Sequence, residues 1–113
     1  MTAYERAVLD RLLSAEFPGR EAALIQAKTA RVQSIDDDGC FDFHAPDGPD
    51  IDCEYFVLSE GLGPTDSYDT PILLTLFQRK GRLGGIEFTR FDGDPNYFPD
   101  PREWTVGPFA RIP

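Results

Sequence analysis

Apolar and polar positions along this chain follow two regimes. From residue 2 to about residue 28 the apolar side chains recur at helical spacing, with Tyr4, Val8, Leu9, Leu12 and Leu13 forming one stripe. Thr2 followed by Glu5 fits a capping box, in which each side chain satisfies an open amide at the helix start. Pro18, in EFPGRE, cannot donate an amide and biases Phe17 away from helical geometry, so the first helix ends before it. A second helix is predicted from Arg20 to Lys28, with Leu24, Ala27 and, at its margin, Ile25 facing inward. The two form a helical hairpin joined tightly at Pro18-Gly19.

After Ala30 the period shortens to that of a strand. ARVQSI and CFDFH flank DDDG, a hairpin signal because Asp tolerates left-handed backbone and Gly supplies positive φ. Phe41 and Phe43 then share one face, and Asp42 and His44 the other. APDGPD reads as a connector, DCEYFVLS as a third strand and EGLGPTDSYDTP as a loop. The clearest hairpin is PILLTLFQ and LGGIEFTRF about a turn at RKGR; its first strand is apolar on both faces and so central. In the second strand Ile86 and Phe88 alternate with Glu87 and Thr89, while Gly84-Gly85 marks a bulge or a close backbone approach. The Pro-rich end is irregular, with a short edge strand near Trp104 to Val106; Tyr97, Phe98, Trp104 and Phe109 pack it down.

The predicted fold is α+β. A helical hairpin (residues 1–30) packs on one face of an antiparallel sheet of four to six strands (31–91), with a Pro-rich segment (92–113) laid on the same domain.

Composition narrows the class. At 113 residues, 41% of them hydrophobic, the chain reads as one domain with its own core and not as a disordered segment. No stretch supplies the roughly 20 apolar residues of a membrane span. The start, MTAYERAVLD, lacks the pattern of a secretory signal, so the expected location is cytoplasmic, with Cys40 and Cys53 as reduced thiols.

The charge is unevenly placed. The net charge is −9, yet residues 1–31 and 79–113 each carry +1, and residues 32–78 carry −11 with no Lys or Arg. Such acidity repels nucleic-acid phosphates and suits a basic protein partner.

The acidic stretch invites several chemistries. An EF-hand register with Gly39 at the sixth position places Ser34, Asp36 and Asp38 correctly but puts Ala45 where a bidentate Glu is required, between strands instead of helices. Cys40, His44 and Cys53 are the only His or Cys residues, too few for a structural zinc; Cys40 and His44 lie about 13 Å apart along a strand. No nucleophile elbow, phosphate loop or dinucleotide fingerprint appears, and no spacing singles out two carboxylates as an acid–base pair. The sequence therefore assigns no catalytic residue, no metal and no cofactor.

The remaining candidate is a docking face. In PDIDCEY, Asp50, Asp52 and Glu54 alternate with Ile51, Cys53 and Tyr55, so a strand there presents three carboxylates on one side. Asp42 projects similarly from a neighbouring strand, with Asp37 and Asp38 in the turn beside it and loop acids such as Glu60 around them. Pairing of these acids with Arg79, Lys80 or Arg82 would remove the basis of such a face.

FPG at 17–19 after an amphipathic first helix, LGGIEFTRFDGDP at 83–95 and FPDPREW at 98–104 resemble a group of small uncharacterised bacterial proteins of actinobacterial type. The resemblance implies a helical hairpin followed by an antiparallel sheet, and no activity. In size and charge the chain is also similar to bacterial immunity proteins, which neutralise a basic toxin domain; that likeness is an analogy. The function read from sequence is a non-enzymatic binding module for a basic protein. The alternative is a small enzyme or ligand-binding domain with a pocket near His44 and Tyr55. The sequence does not specify an oligomeric state.

Overall fold

The computed structural model describes residues 1–37, 39–91, 93–94 and 97–108. Helix α1 (Ala3–Leu13) starts at the expected capping box: Thr2 Oγ1 accepts the Glu5 amide at 3.1 Å, and Glu5 accepts the Thr2 amide at 2.7 Å. Its stripe of Val8, Leu9, Leu12 and Leu13 is fully buried. Helix α2 (Arg20–Ala27) is entered through Gly19, whose φ of 82° is left-handed. A side chain there would also strike Ile51 at 2.6 Å, so the residue is fixed by both conformation and space. Two arginines cap the helix ends. Arg20 donates to the Leu13 carbonyl at 2.6 Å and Arg6 donates to that of Ala27, placing cations where helix carbonyls are left open.

The inward face of α2 includes Ala27 as expected but differs at Leu24 and Ile25. Ala23, Gln26 and Ala27 are buried, whereas Leu24 and Ile25 are exposed. The small alanines let α2 approach the sheet closely. That leaves room at the contact for a glutamine whose polar end finds partners, and the branched residues turn outward.

The described residues form one antiparallel sheet of six strands: β1 (Arg31–Ile35), β2 (Phe41–His44), β3 (Val57–Leu62), β4 (Ile72–Arg79), β5 (Arg82–Arg90) and β6 (Thr105–Pro108). Their spatial order is β1-β2-β5-β4-β3-β6. Both helices pack on one face. Phe41, Phe43, Leu58, Ile72, Leu74, Leu76, Ile86 and Phe88 meet α1, α2 and Trp104 there in a single core. A fully buried Ser59 donates to the Leu12 carbonyl at 2.9 Å, tying β3 to α1. The β4–β5 hairpin turns at Lys80-Gly81, both with positive φ (52° and 85°), the pattern of a type I′ turn.

The third strand begins later than DCEYFVLS predicts, at Val57; residues 51–56 are irregular. Their backbone groups are claimed by partners distant in sequence. Ile51 donates to the Gly81 carbonyl at 2.8 Å, and buried Gln78 donates to the carbonyls of Cys53 and Tyr55, both at 2.9 Å. Asp50, Asp52 and Glu54 therefore do not alternate along one strand. Arg82 holds the preceding connector by donating to the carbonyls of Ala45, Asp47 and Gly48. The edge strand expected near Trp104 to Val106 is β6, reached through a 3-10 turn at Pro101–Glu103. Phe109 lies outside the described residues.

Candidate functional site

The helices cover one face of the sheet and, among the described residues, leave the other without a helix. Strand register places side chains on that open face in three rows across the strands. The first runs Ser34, Asp42, Gly85, Phe77 and Val57; the second Glu87, Thr75, Glu60 and Gly107; the third Thr89, Leu73, Leu62 and Thr105. The first row holds Asp42 and Phe77, the second Glu87 and Glu60, and the third two leucines between threonines, with Leu62 49% exposed.

The first row depends on Gly84 and Gly85. Phe77 pairs with Gly85 and Gln78 with Leu83, which leaves Gly84 as the extra residue of a bulge. A Cβ on Gly84 would lie 2.8 Å from the Phe77 ring, and one on Gly85 would collide with the Phe41 carbonyl oxygen. The absent side chains thus let the Phe77 ring lie over β5 and let β2 approach it. Phe56, 56% exposed, stacks on Phe77 with centroids 5.1 Å apart and planes within 19°. The Arg79 guanidinium sits 4.8 Å from the Phe77 centroid and 3.6 Å from the Asp42 carboxylate.

These groups border a groove of about 360 Å³ whose polar lining is Ser34, Asp36, Asp42, Arg79 and Glu87. Glu87 and Glu60 have no ion-pair partner among the described residues. Asp42 and Glu87 are diagonal neighbours, about 7–8 Å apart. Glu60 lies two strands from Glu87, about 10 Å away. Glu60 is therefore a strand residue of this face, not the loop acid expected from sequence.

The residues singled out by sequence are dispersed. Asp42 is on the open face, paired with Arg79. Asp50 pairs with Arg82 at 3.1 Å, so two of the four acids read as one face are matched by cations. Asp52 and Glu54 are exposed on the irregular connector, where they line a separate depression with Pro18, Cys53 and Tyr55. Asp37 is exposed in the β1–β2 turn, and Asp38 lies outside the described residues. His44 is exposed and lines a shallow hollow with Arg31, Val32 and Gln33, apart from the depression that holds Tyr55.

Among the described residues no three His, Cys, Asp or Glu side chains come together to hold a metal ion. Neither Cys40 nor Cys53 is in a disulfide. The Cys40 sulfur accepts the Phe88 amide at 3.2 Å and packs beside the core. No helix among the described residues is long and apolar enough to cross a membrane.

Shifted titrations fall away from the groove. The Asp66 carboxylate accepts the amides of Asp94, Thr70 and Tyr68, led by Asp94, and is held below the usual carboxylate range despite some desolvation. Hydrogen bonds from the Arg102 side chain and amide bring Asp100 down to about 2. Burial pushes the Tyr4 phenol up to about 12; its hydroxyl donates to the Pro99 carbonyl at 3.0 Å.

The site residues that sequence reading passed over are Phe56, Phe77 and Glu87, together with the strand placement of Glu60. The alternation of Glu87 and Thr89 with Ile86 and Phe88 was visible, but its neighbours depend on β2 lying beside β5, which no local pattern states. Comparison with protein-family models, curated proteins and solved structures finds no match.

Proposed function

We propose that this protein is a non-enzymatic binding module that docks a basic protein on the open face of its sheet. One observation carries the reading: Asp42, Glu60 and Glu87 lie on a face that no helix among the described residues covers, beside the exposed Phe56, which stacks on the buried Phe77. Carboxylates around the solvent-facing Phe56 attract and steer a cationic surface, and that ring supplies contact area. Six strands at about 4.8 Å spacing make a face about 25 Å across, in scale with one side of a standard protein interface. The docking residues are Glu60 and Glu87, flanked by Asp37 and by Asp42, which Arg79 already pairs. Asp52 and Glu54 on the connector add to the negative field, whereas Asp50 is matched by Arg82. The partner class parallels, by analogy, the basic toxin domains met by immunity proteins.

The test is affinity capture of purified basic proteins from host extract with matched variants. Wild-type protein is expected to retain a basic partner, with retention falling as salt rises. Glu60→Lys with Glu87→Lys abolishes capture, and Glu21→Lys, on exposed α2 surface, leaves it intact. Equal capture by all three proteins, or equal loss in both variants, overturns the assignment of the open face.

A further inference from the structure

We infer that the groove beside the Phe56–Phe77 stack receives a guanidinium side chain of the partner, and that Arg79 is a resident stand-in which the incoming group displaces. This rests on the docking reading above and names the chemistry recognised there.

The argument starts from what already sits in the groove. Arg79 lies over the face of Phe77 and beside Asp42, the two features that a guanidinium uses: an aromatic plane to stack on and a carboxylate to donate to. Its hold is weak. The Arg79 and Asp42 side chains are 58% and 44% exposed, and their atoms are 3.6 Å apart, so the pair contributes little and exchanges readily.

Arg79 is the one cation among the lining residues and already pairs with Asp42, whereas Glu87, also in the lining, has no ionic partner among the described residues. At about 360 Å³ the space is at the small end of ligand sites, suited to a side chain. A planar guanidinium stacks on the exposed Phe56 and donates two bonds to a carboxylate, which a compact ammonium cannot do. Arg79, released, turns toward solvent from the end of β4.

The experiment uses the intact protein and three probes: N-acetyl-arginine amide, the lysine equivalent and the neutral citrulline equivalent, titrated while backbone amide resonances are followed. The arginine probe is expected to shift the amides of Asp42, Phe77 and Glu87 saturably, the lysine probe less, and the citrulline probe not at all. Arg79→Met removes the competitor and tightens arginine binding roughly two- to fivefold, the fold-change associated with an exposed ion pair. Glu87→Gln, a surface change that leaves the core untouched, weakens it by a similar factor. Unchanged or weaker binding in Arg79→Met overturns the stand-in role, and arginine shifts confined to other surfaces overturn the groove. If basic-protein capture still depends on Glu60 and Glu87 in either case, the docking face stands and only this inference fails. Loss of both removes both.

Discussion

The side-chain oxygen of Gln26, on α2, accepts the backbone amide of Leu83 on β5 at 2.8 Å. The same side chain donates to the carbonyls of Pro49 and Gly81 at 2.7 and 2.9 Å, while the residue is 0% exposed. One buried amide thus joins a helix, a connector and a hairpin turn.

Gln26→Met keeps the volume and deletes all three bonds. It leaves the buried Leu83 amide without a partner and frees the Pro49 carbonyl, while the Gly81 carbonyl keeps the Ile51 amide, so the expected loss is roughly 1–3 kcal/mol of unfolding free energy. Urea denaturation of the variant measures it; a loss below about 0.5 kcal/mol, the floor for a single net hydrogen bond, would falsify the latch.

Gly85→Ala tests the close approach of β2 to β5. The added methyl meets the Phe41 carbonyl and the Phe77 ring, 2.7 Å away, and only backbone movement relieves it. Overpacking of this kind costs roughly 1–3 kcal/mol. The damage should be directional: amide exchange speeds up in β1 and β2, which hang from β5 through this contact, and stays slow in β3 and β4. Uniform loss across the sheet counts against it.

Acid should loosen the loops around Asp66 before the core. Its carboxylate is depressed in the folded state, so the stability it contributes is present above the unfolded value of about 3.9 and is lost as pH falls through the lower, folded value. Asp100 follows the same sign, between about 3.9 and its folded value of about 2. Exchange of the Thr70 and Asp94 amides, followed from pH 5 down to 2, is expected to rise only below pH 4, and in Asp66→Ala to be fast throughout.

The alkaline side has the opposite sign. Tyr4 is raised from 10.0 to about 12, so its contribution is complete below pH 10 and disappears as pH climbs toward 12. Tyr97 is raised as well, chiefly by desolvation, and acts in the same window. Tyr4→Phe loses one hydrogen bond to Pro99, about 0.5–1.5 kcal/mol at neutral pH. It also shows a shallower fall in thermal midpoint between pH 10 and 12. An unchanged alkaline limb would point to another group.

Local pattern made much of the fold legible. Thr2 and Glu5 announced the first helix, Lys80-Gly81 the central hairpin, and Gly84-Gly85 both a bulge and a close approach, each because the interactions lie within a few residues. The connector after Ala45 was misread for the converse reason. Its backbone is organised by Gln26, Gln78 and Arg82, which stand 23 to 37 residues away, so an alternating PDIDCEY looked like a strand when its hydrogen bonds belonged elsewhere. Leu24 and Ile25 were placed inward on hydropathy alone; the sheet selected the smaller Ala23 and Ala27. Glu60 and Glu87 each showed strand or near-strand context in the sequence, but their convergence with Asp42 required a strand order that skips from β2 to β5.

That order governs how the chain can assemble. β4 and β5 lie between β2 and β3, which precede them in the chain, so no growth from the N-terminus can complete the sheet. The hairpin about Lys80-Gly81 is local and cheap to close; β3 reaches one edge of it through residues 63–71, whereas β2 must find the other across residues 45–81. The last-made of the central strands is therefore the template for the earlier ones. A ribosome-bound chain truncated before residue 57 holds helices and a β1–β2 ribbon without the strands on which they dock.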